Sequence, residues 1–98
     1  MLSDTFTLYV KTHGYHWNVT GPHFRALHLM FEEQYTELWN SVDILAERMR
    51  ALGSGAPGSL AEFQEHASIR DNQRTTDAMT MVENLATDHE TLARLVRP

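Results

Sequence analysis

The chain has 98 residues, of which 42% are apolar and 21% charged, with a formal net charge of −5 and no cysteine. This length allows one domain, residues 1–98, and the composition excludes a disordered or membrane-embedded chain. The absence of cysteine excludes disulfides and zinc fingers, so any metal must be held by His, Asp or Glu, and the negative charge argues against a nucleic-acid surface.

The first predicted element is an amphipathic helix over about residues 2–17, in which apolar and aromatic residues recur at helical spacing: Leu2, Phe6, Tyr9, Val10, His13 and Trp17. The stretch NVTGP interrupts it, and Pro22 suits the first position of the next helix. A second, long helix is predicted over 22–52 from apolar residues spaced three and four apart: Phe24, Leu27, Phe31, Leu38, Val42, Leu45, Met49 and Leu52.

The stretch GSGAPGS, residues 53–59, ends the long helix. Ser59 and Glu62 then form a capping-box pattern that predicts a short helix over 60–66, and a third long helix follows over 76–97. No strand is predicted, so the fold class is all-α, an antiparallel helical bundle. Because three long helices are an awkward number for a bundle and the first has no cap, we expect part of the first helix and a fourth helix to be missing.

A second stripe runs along the long helix beside its apolar face, and it combines aromatic, histidine and carboxylate side chains: His28, Glu32, Tyr35, Trp39, Asp43 and Glu47. A solvated face would carry Lys, Glu and Gln instead, so the stripe is predicted to be buried. Burying three carboxylates without a cationic partner is costly, and a bound cation would remove that cost.

The spacing within the stripe predicts two ligand pairs. His28 and Glu32 are four residues apart, as are Asp43 and Glu47, so each pair can hold one ion. Glu32 and Asp43 lie roughly 16 Å apart along the helix axis, which is too far for one site. Two copies packed antiparallel about a two-fold axis near Glu37 and Leu38 would bring the pairs together at two equivalent sites.

His16 precedes Pro22 by six residues and His28 follows it by six, so a hairpin would set the two imidazoles side by side. Imidazole and carboxylate ligands suit iron or manganese, with zinc and copper as competitors. Trp17, Tyr35 and Trp39 are interpreted as packing residues. Four histidines fit no site and are expected to be surface or core residues: His13, His23, His66 and His89.

The segment HWNVTGPHFRALHLMFEEQYTELWNSVDILAER, residues 16–48, resembles the Dps family, the DNA-protecting mini-ferritins of bacteria. GAPGSLAEFQEHASI, residues 55–69, also resembles the family's connection between its second and third helices. The resemblance implies a ferritin-like bundle, a two-fold dimer and a dodecameric shell that oxidises Fe(II), preferably with hydrogen peroxide, and stores ferric iron. Protection of DNA from oxidative damage would follow.

By that resemblance, His16, His28 and Glu32 would form one side of a di-iron ferroxidase centre between subunits, and Asp43 and Glu47 the other. Many members have Asp where this chain has Glu32. Trp17 would lie next to the centre and take up oxidising equivalents as a radical trap.

Two other interpretations remain open at the level of the sequence. One is a non-enzymatic DNA-compacting stress protein, although the lysine-rich tails used by some family members have no counterpart here. The other is a metal-free helical fragment that dimerises through its aromatic stripe. The start of the chain lacks the pattern of a signal peptide, so we expect a cytoplasmic protein without membrane contact, and the resemblance implies association with the nucleoid.

Overall fold

Helix α1 is the element on which the other helices pack. The computed structural model describes residues 2–69 and 77–95, which form α1 (Leu2–Asn18), α2 (Phe24–Ala51), α3 (Leu60–His66) and α4 (Ala78–Leu95). Each of the other three helices contacts α1, whereas the backbones of α2 and α4 do not approach each other closely within the described ranges. These residues contain no strand, and the predicted all-α helical bundle is confirmed. The outer ends of the helix predicted over 76–97 lie outside the described residues.

The turn between α1 and α2 determines how the two helices meet. The N–H of Val19 donates to the carbonyl of Tyr15 at 2.9 Å, and the N–H of Phe24 donates to that of Gly21 at 3.1 Å. Gly21 has a φ of +107°, a conformation that favours glycine. The second helix therefore begins at Phe24 and not at Pro22, because Pro22 is used in the turn itself.

The apolar core is small and centres on α1. Only Phe31 and Leu38 of α2 are buried, whereas Phe24 and Leu52, predicted on the same face, are 44% and 87% exposed. A helix that packs on one neighbour covers only a narrow strip of its surface. The buried residues that form the core cluster are Leu8, Tyr15, Val19, Phe31, Leu38, Ile69, Met81 and Leu85.

Polar side chains occupy much of the buried face of α1. Asp4 is 2% exposed, and its Oδ1 accepts hydrogen bonds from the backbone N–H groups of Ser68 at 2.5 Å and Ile69 at 2.7 Å. Lys11 donates to Asp88 of α4 in an ion pair whose side chains are 6% and 14% exposed. These contacts attach α4 and the segment after α3 to α1 through charge and hydrogen bonds as well as through apolar packing.

Helix α3 has the predicted N-cap. The Ser59 hydroxyl accepts a hydrogen bond from the N–H of Glu62 at 3.3 Å. Phe63 of α3 stacks on Phe6 of α1, with ring centroids 4.0 Å apart. Among the described residues, no helix has the combined length and apolar character needed to cross a membrane.

The Lys11–Asp88 ion pair predicts a specific pattern of stability. Lys11→Met leaves a carboxylate nearly buried without its partner, so it should lower the free energy of unfolding by about 3–5 kcal/mol. Lys11→Met combined with Asp88→Leu should recover most of that loss, because no buried charge remains. Urea denaturation measures the free energy of unfolding of the unaltered protein, of Lys11→Met and of the double variant.

The exposed pair of Arg94 and Glu90, with side chains 72% and 63% exposed, supplies the control. Arg94→Met should change the free energy of unfolding by less than about 1 kcal/mol. A double variant no more stable than Lys11→Met alone would contradict the role assigned to the buried pair.

Candidate metal centre

His16 and His28 form a pair that joins the end of α1 to the beginning of α2. Their rings are stacked, with centroids 3.6 Å apart and planes inclined by 19°. The Nδ1 of His16 lies 2.8 Å from the backbone oxygen of His28, and the Nδ1 of His28 lies 2.7 Å from that of His16. The two side chains are therefore bonded reciprocally, each to the other's main chain.

This reciprocal bonding determines the tautomer of both rings. A carbonyl oxygen only accepts, so each Nδ1 must carry a hydrogen and donate it. In the neutral imidazole the lone pair is then on Nε2, which is the form that binds metals. Hydrogen bonding of the second ring nitrogen to a backbone carbonyl is also how proteins orient metal-binding histidines.

The local fold explains why these two residues meet. His16 lies in the last turn of α1, where helix carbonyls lack intrahelical partners, and His28 satisfies one of them. The turn around Gly21 reverses the chain within a few residues. Residues twelve apart in sequence are thus brought face to face, with His16 buried and His28 half-buried.

The three carboxylates of the candidate centre are not brought to one point by a single chain. Glu32, Asp43 and Glu47 are all exposed along α2. Within residues 2–69 and 77–95, no group of three or more His, Asp or Glu side chains is arranged to hold a metal ion. One chain assembles the imidazole pair and leaves the carboxylates spread along the helix.

The prediction that the mixed stripe of α2 is buried is wrong for the single chain. A step of four residues turns an α-helix by about 40° beyond one full turn, so a stripe at this spacing winds around the helix. His28 and Tyr35 are half-buried against α1, whereas Trp39 is 53% exposed. Asp43 and Glu47, further along, are exposed.

His13 was expected to fit no site, but it lies in an aromatic cluster beside His16. Its ring is parallel to that of Tyr35, with centroids 3.9 Å apart and planes inclined by 7°, and it contacts the Trp17 ring at 4.1 Å. The hydroxyl of Tyr9 is 2.9 Å from His13 Nδ1. The sequence signal for this cluster was the helical spacing of its members: four residues separate Tyr9 from His13, and three separate His13 from His16. The other unassigned histidines, His23, His66 and His89, are exposed.

The cluster alters the acid–base properties of two of its members. Burial lowers the pKa of His13, and the neighbouring His16 lowers that pKa further. Burial also raises the pKa of Tyr9, with a smaller contribution from Tyr35. Both shifts favour the uncharged forms of the phenol and the imidazole. Trp17, expected to be a packing residue, is 68% exposed and touches the cluster through His13.

The helical hairpin with paired imidazoles and carboxylates along α2 defines a ferritin-like protein. A family model described as a ferritin-like domain matches residues 1–98, and the chain belongs to that family. Its resemblance to Dps proteins is confirmed by a DNA protection during starvation protein of Brevibacillus brevis, 44% identical over 87 residues that cover 89% of this chain and 58% of the relative.

Solved Dps structures share the fold. Dps from Staphylococcus aureus superposes with a TM-score of 0.90 at 36% identity, covering 95% of this chain and 62% of that one. Dps from Vibrio cholerae, described as a member of a broad superfamily of ferritin-like diiron-carboxylate proteins, gives a TM-score of 0.88 at 33% identity, covering 93% and 57%. The chain thus spans about three fifths of the length of these relatives.

The reciprocal hydrogen bonds predict the tautomers in solution. In the metal-free protein, the neutral rings of His16 and His28 should both be Nδ1–H tautomers, because each Nδ1 donates to a carbonyl. Long-range proton–nitrogen correlation NMR distinguishes the two tautomers. The exposed His23 and His89 are controls that should exchange between both forms. An Nε2–H tautomer at His16 or His28 would show that the reciprocal bonding is absent.

Proposed function

We propose that the protein is a ferroxidase and iron-storage protein of the Dps type. It oxidises Fe(II), preferably with hydrogen peroxide, and sequesters the ferric product. The observation that carries this proposal is the pair His16 and His28, held so that both Nε2 atoms are available as ligands. Membership of the ferritin-like family and similarity to Dps proteins support the same conclusion.

Each centre would form between two copies of the chain. His16, His28 and Glu32 of one copy would face Asp43 and Glu47 of a second copy across a two-fold axis. The separation of Glu32 and Asp43, roughly 16 Å along α2, supports this arrangement because a single chain cannot close both pairs on one ion. The exposed Trp39 and Ile44 nearby supply apolar surface for a partner.

The chemistry of the donors suits iron as the substrate. Two nitrogen and three carboxylate donors form a mixed set of the kind that binds iron or manganese. Two ferrous ions each give up one electron, and hydrogen peroxide takes both electrons with two protons to give two water molecules. The carboxylates stabilise the ferric product through their negative charge, and the backbone carbonyls keep both imidazoles oriented throughout.

Storage and protection would follow from this reaction. We propose that the full assembly is a shell, a dodecamer as in the family, which acts in the cytoplasm. Consuming ferrous iron and peroxide together removes both reactants of hydroxyl-radical formation, and this contributes to the protection of DNA. Direct DNA binding finds no support in a chain with a net charge of −5 and Lys11 as its one lysine.

The proposed reaction predicts the choice of oxidant. Ferrous iron should be oxidised faster with hydrogen peroxide than with oxygen, as followed by stopped-flow absorbance of the ferric product. His28→Ala removes one ligand and should slow the peroxide reaction by at least about tenfold. His89→Ala, at an exposed position outside the site, should not change it. Equal rates for His28→Ala and the unaltered protein would refute the site.

The inter-subunit arrangement predicts complementation between two inactive variants. His16→Ala/His28→Ala and Asp43→Ala/Glu47→Ala should each lose both sites as homodimers. After subunit exchange, a mixed dimer contains one site with every ligand and one site with none of the four substituted ligands. Activity should therefore return to about one quarter of the unaltered protein for random mixing at equal amounts, since half of the dimers are mixed and each keeps one of two sites.

Mass spectrometry verifies that the subunits have exchanged. A fully exchanged mixture that stays inactive would show that Asp43 and Glu47 do not complete the centre of another copy. Unmixed variants that retain activity would show that the substituted residues are not the ligands.

A further inference from the structure

Five aromatic side chains from α1 and α2 form a continuous cluster next to the histidine pair. Its members are Tyr9, His13, Trp17, Tyr35 and Trp39, which we call the aromatic cluster. Tyr9 contacts Trp39 with ring centroids 5.1 Å apart, and His13 contacts Trp17 at 4.1 Å. The cluster therefore connects both tryptophans of the chain to one tyrosine.

Tyr9 has a hydrogen-bond partner suited to proton transfer. Its hydroxyl lies 2.9 Å from His13 Nδ1, within the range of a normal hydrogen bond. A phenol that loses an electron becomes strongly acidic, so a base already bonded to the hydroxyl makes the loss easier. Tyr35 contacts the same imidazole through its ring face, not through its hydroxyl. Of these two tyrosines, Tyr9 is thus the one placed to release a proton to His13.

We propose that Tyr9, hydrogen-bonded to His13, is the terminal electron donor of the aromatic cluster and repairs tryptophan radicals formed at Trp17 or Trp39. The inference rests on the proposed function for the source of the oxidant, a hydroxyl radical formed from ferrous iron and peroxide. The transfer from Tyr9 to a tryptophan radical, in contrast, is a property of the metal-free chain.

The step balances in electrons and protons. A hydroxyl radical takes a hydrogen atom from the indole N–H of Trp17, giving water and a neutral indolyl radical. The indolyl radical then takes one electron from Tyr9 and one proton from water, which restores tryptophan. The phenolic proton of Tyr9 moves to His13 Nδ1. The products are restored tryptophan, a neutral tyrosyl radical, an imidazolium and the hydroxide ion left by the water that gave up its proton.

The position of Tyr9 moves the radical away from the candidate metal ligands. Tyr9 lies seven residues before His16, roughly 10 Å along α1, so the radical ends away from the metal-binding imidazoles. Trp17, the residue after His16, is 68% exposed and meets oxidants from solvent first. An electron vacancy moved from Trp17 to Tyr9 leaves both histidines unmodified and reaches a half-buried side chain.

Pulse radiolysis of the metal-free protein tests the transfer without any iron chemistry. Azide radicals oxidise tryptophan selectively, and the decay of indolyl absorbance with a matching rise of phenoxyl absorbance reports transfer to tyrosine. We expect a rate independent of protein concentration within one assembly state. Tyr9→Phe, which removes only the hydroxyl, should abolish this fast phase.

His13→Phe keeps an aromatic ring in the cluster and removes the proton acceptor. This variant should slow the electron transfer from Tyr9 to the tryptophan radical by about tenfold. That factor corresponds to an activation barrier raised by the net free energy of one hydrogen bond. Tyr35→Phe is the matched control and should leave the rate unchanged. A fast phase that persists in Tyr9→Phe, or disappears in Tyr35→Phe, would overturn the proposal.

High-field electron paramagnetic resonance of the unaltered protein provides a measurement that needs no variant. A tyrosyl radical that accepts a hydrogen bond from an imidazolium has a lowered largest g value, which is the result expected. A tyrosyl radical without a hydrogen bond would contradict the assignment to Tyr9. Because radiolysis needs no iron, failure of iron oxidation in a separate assay would remove the proposed function and leave the electron-transfer result standing.

Discussion

The reciprocal hydrogen bonds between His16 and His28 are the constraint on which the rest of the candidate site depends. Each imidazole is held by the other residue's carbonyl at 2.8 and 2.7 Å, so neither ring can rotate without breaking a hydrogen bond between α1 and α2. The same bonds determine the tautomer of the neutral rings, in which Nε2 carries the lone pair that could bind a metal. Ligand chemistry and helix packing are therefore served by the same two hydrogen bonds.

A second constraint is the unequal burial of the two long helices of the hairpin. α1 has ten buried residues, whereas α2, although longer, has only Phe31 and Leu38. The uncovered surface of α2 carries the carboxylates and the exposed ring of Trp39. Water solvates the carboxylates well, whereas exposure of the aromatic ring to water is unfavourable. A second copy covering this surface would bury apolar area and supply the missing ligands in one event, so assembly and iron binding would be coupled.

The sequence predicted the fold class and the meeting of two imidazoles because both depend on local periodicity. Counting six residues on either side of Pro22 was sufficient to place His16 beside His28. It did not predict the burial of Asp4 and Lys11, because their partners are a backbone segment and a carboxylate far along the chain. His13 was missed although Tyr9 and Trp17 of its own helix lie within a turn of it, because the ring stacked on it, Tyr35, comes from another helix.

Contacts in this chain differ greatly in the length of chain they must close. The histidine pair spans 12 residues, whereas Asp4 with Ser68 spans 64 and Lys11 with Asp88 spans 77. Closing a loop of 77 residues in place of one of 12 costs roughly 1.6 kcal/mol more in chain entropy. The histidine pair thus has the smallest entropic demand of the three, and its geometry does not require that α4 be docked. The histidine pair, whose geometry matters most for the candidate site, is thus also the contact of these three that costs the least chain entropy and that the chain can form earliest.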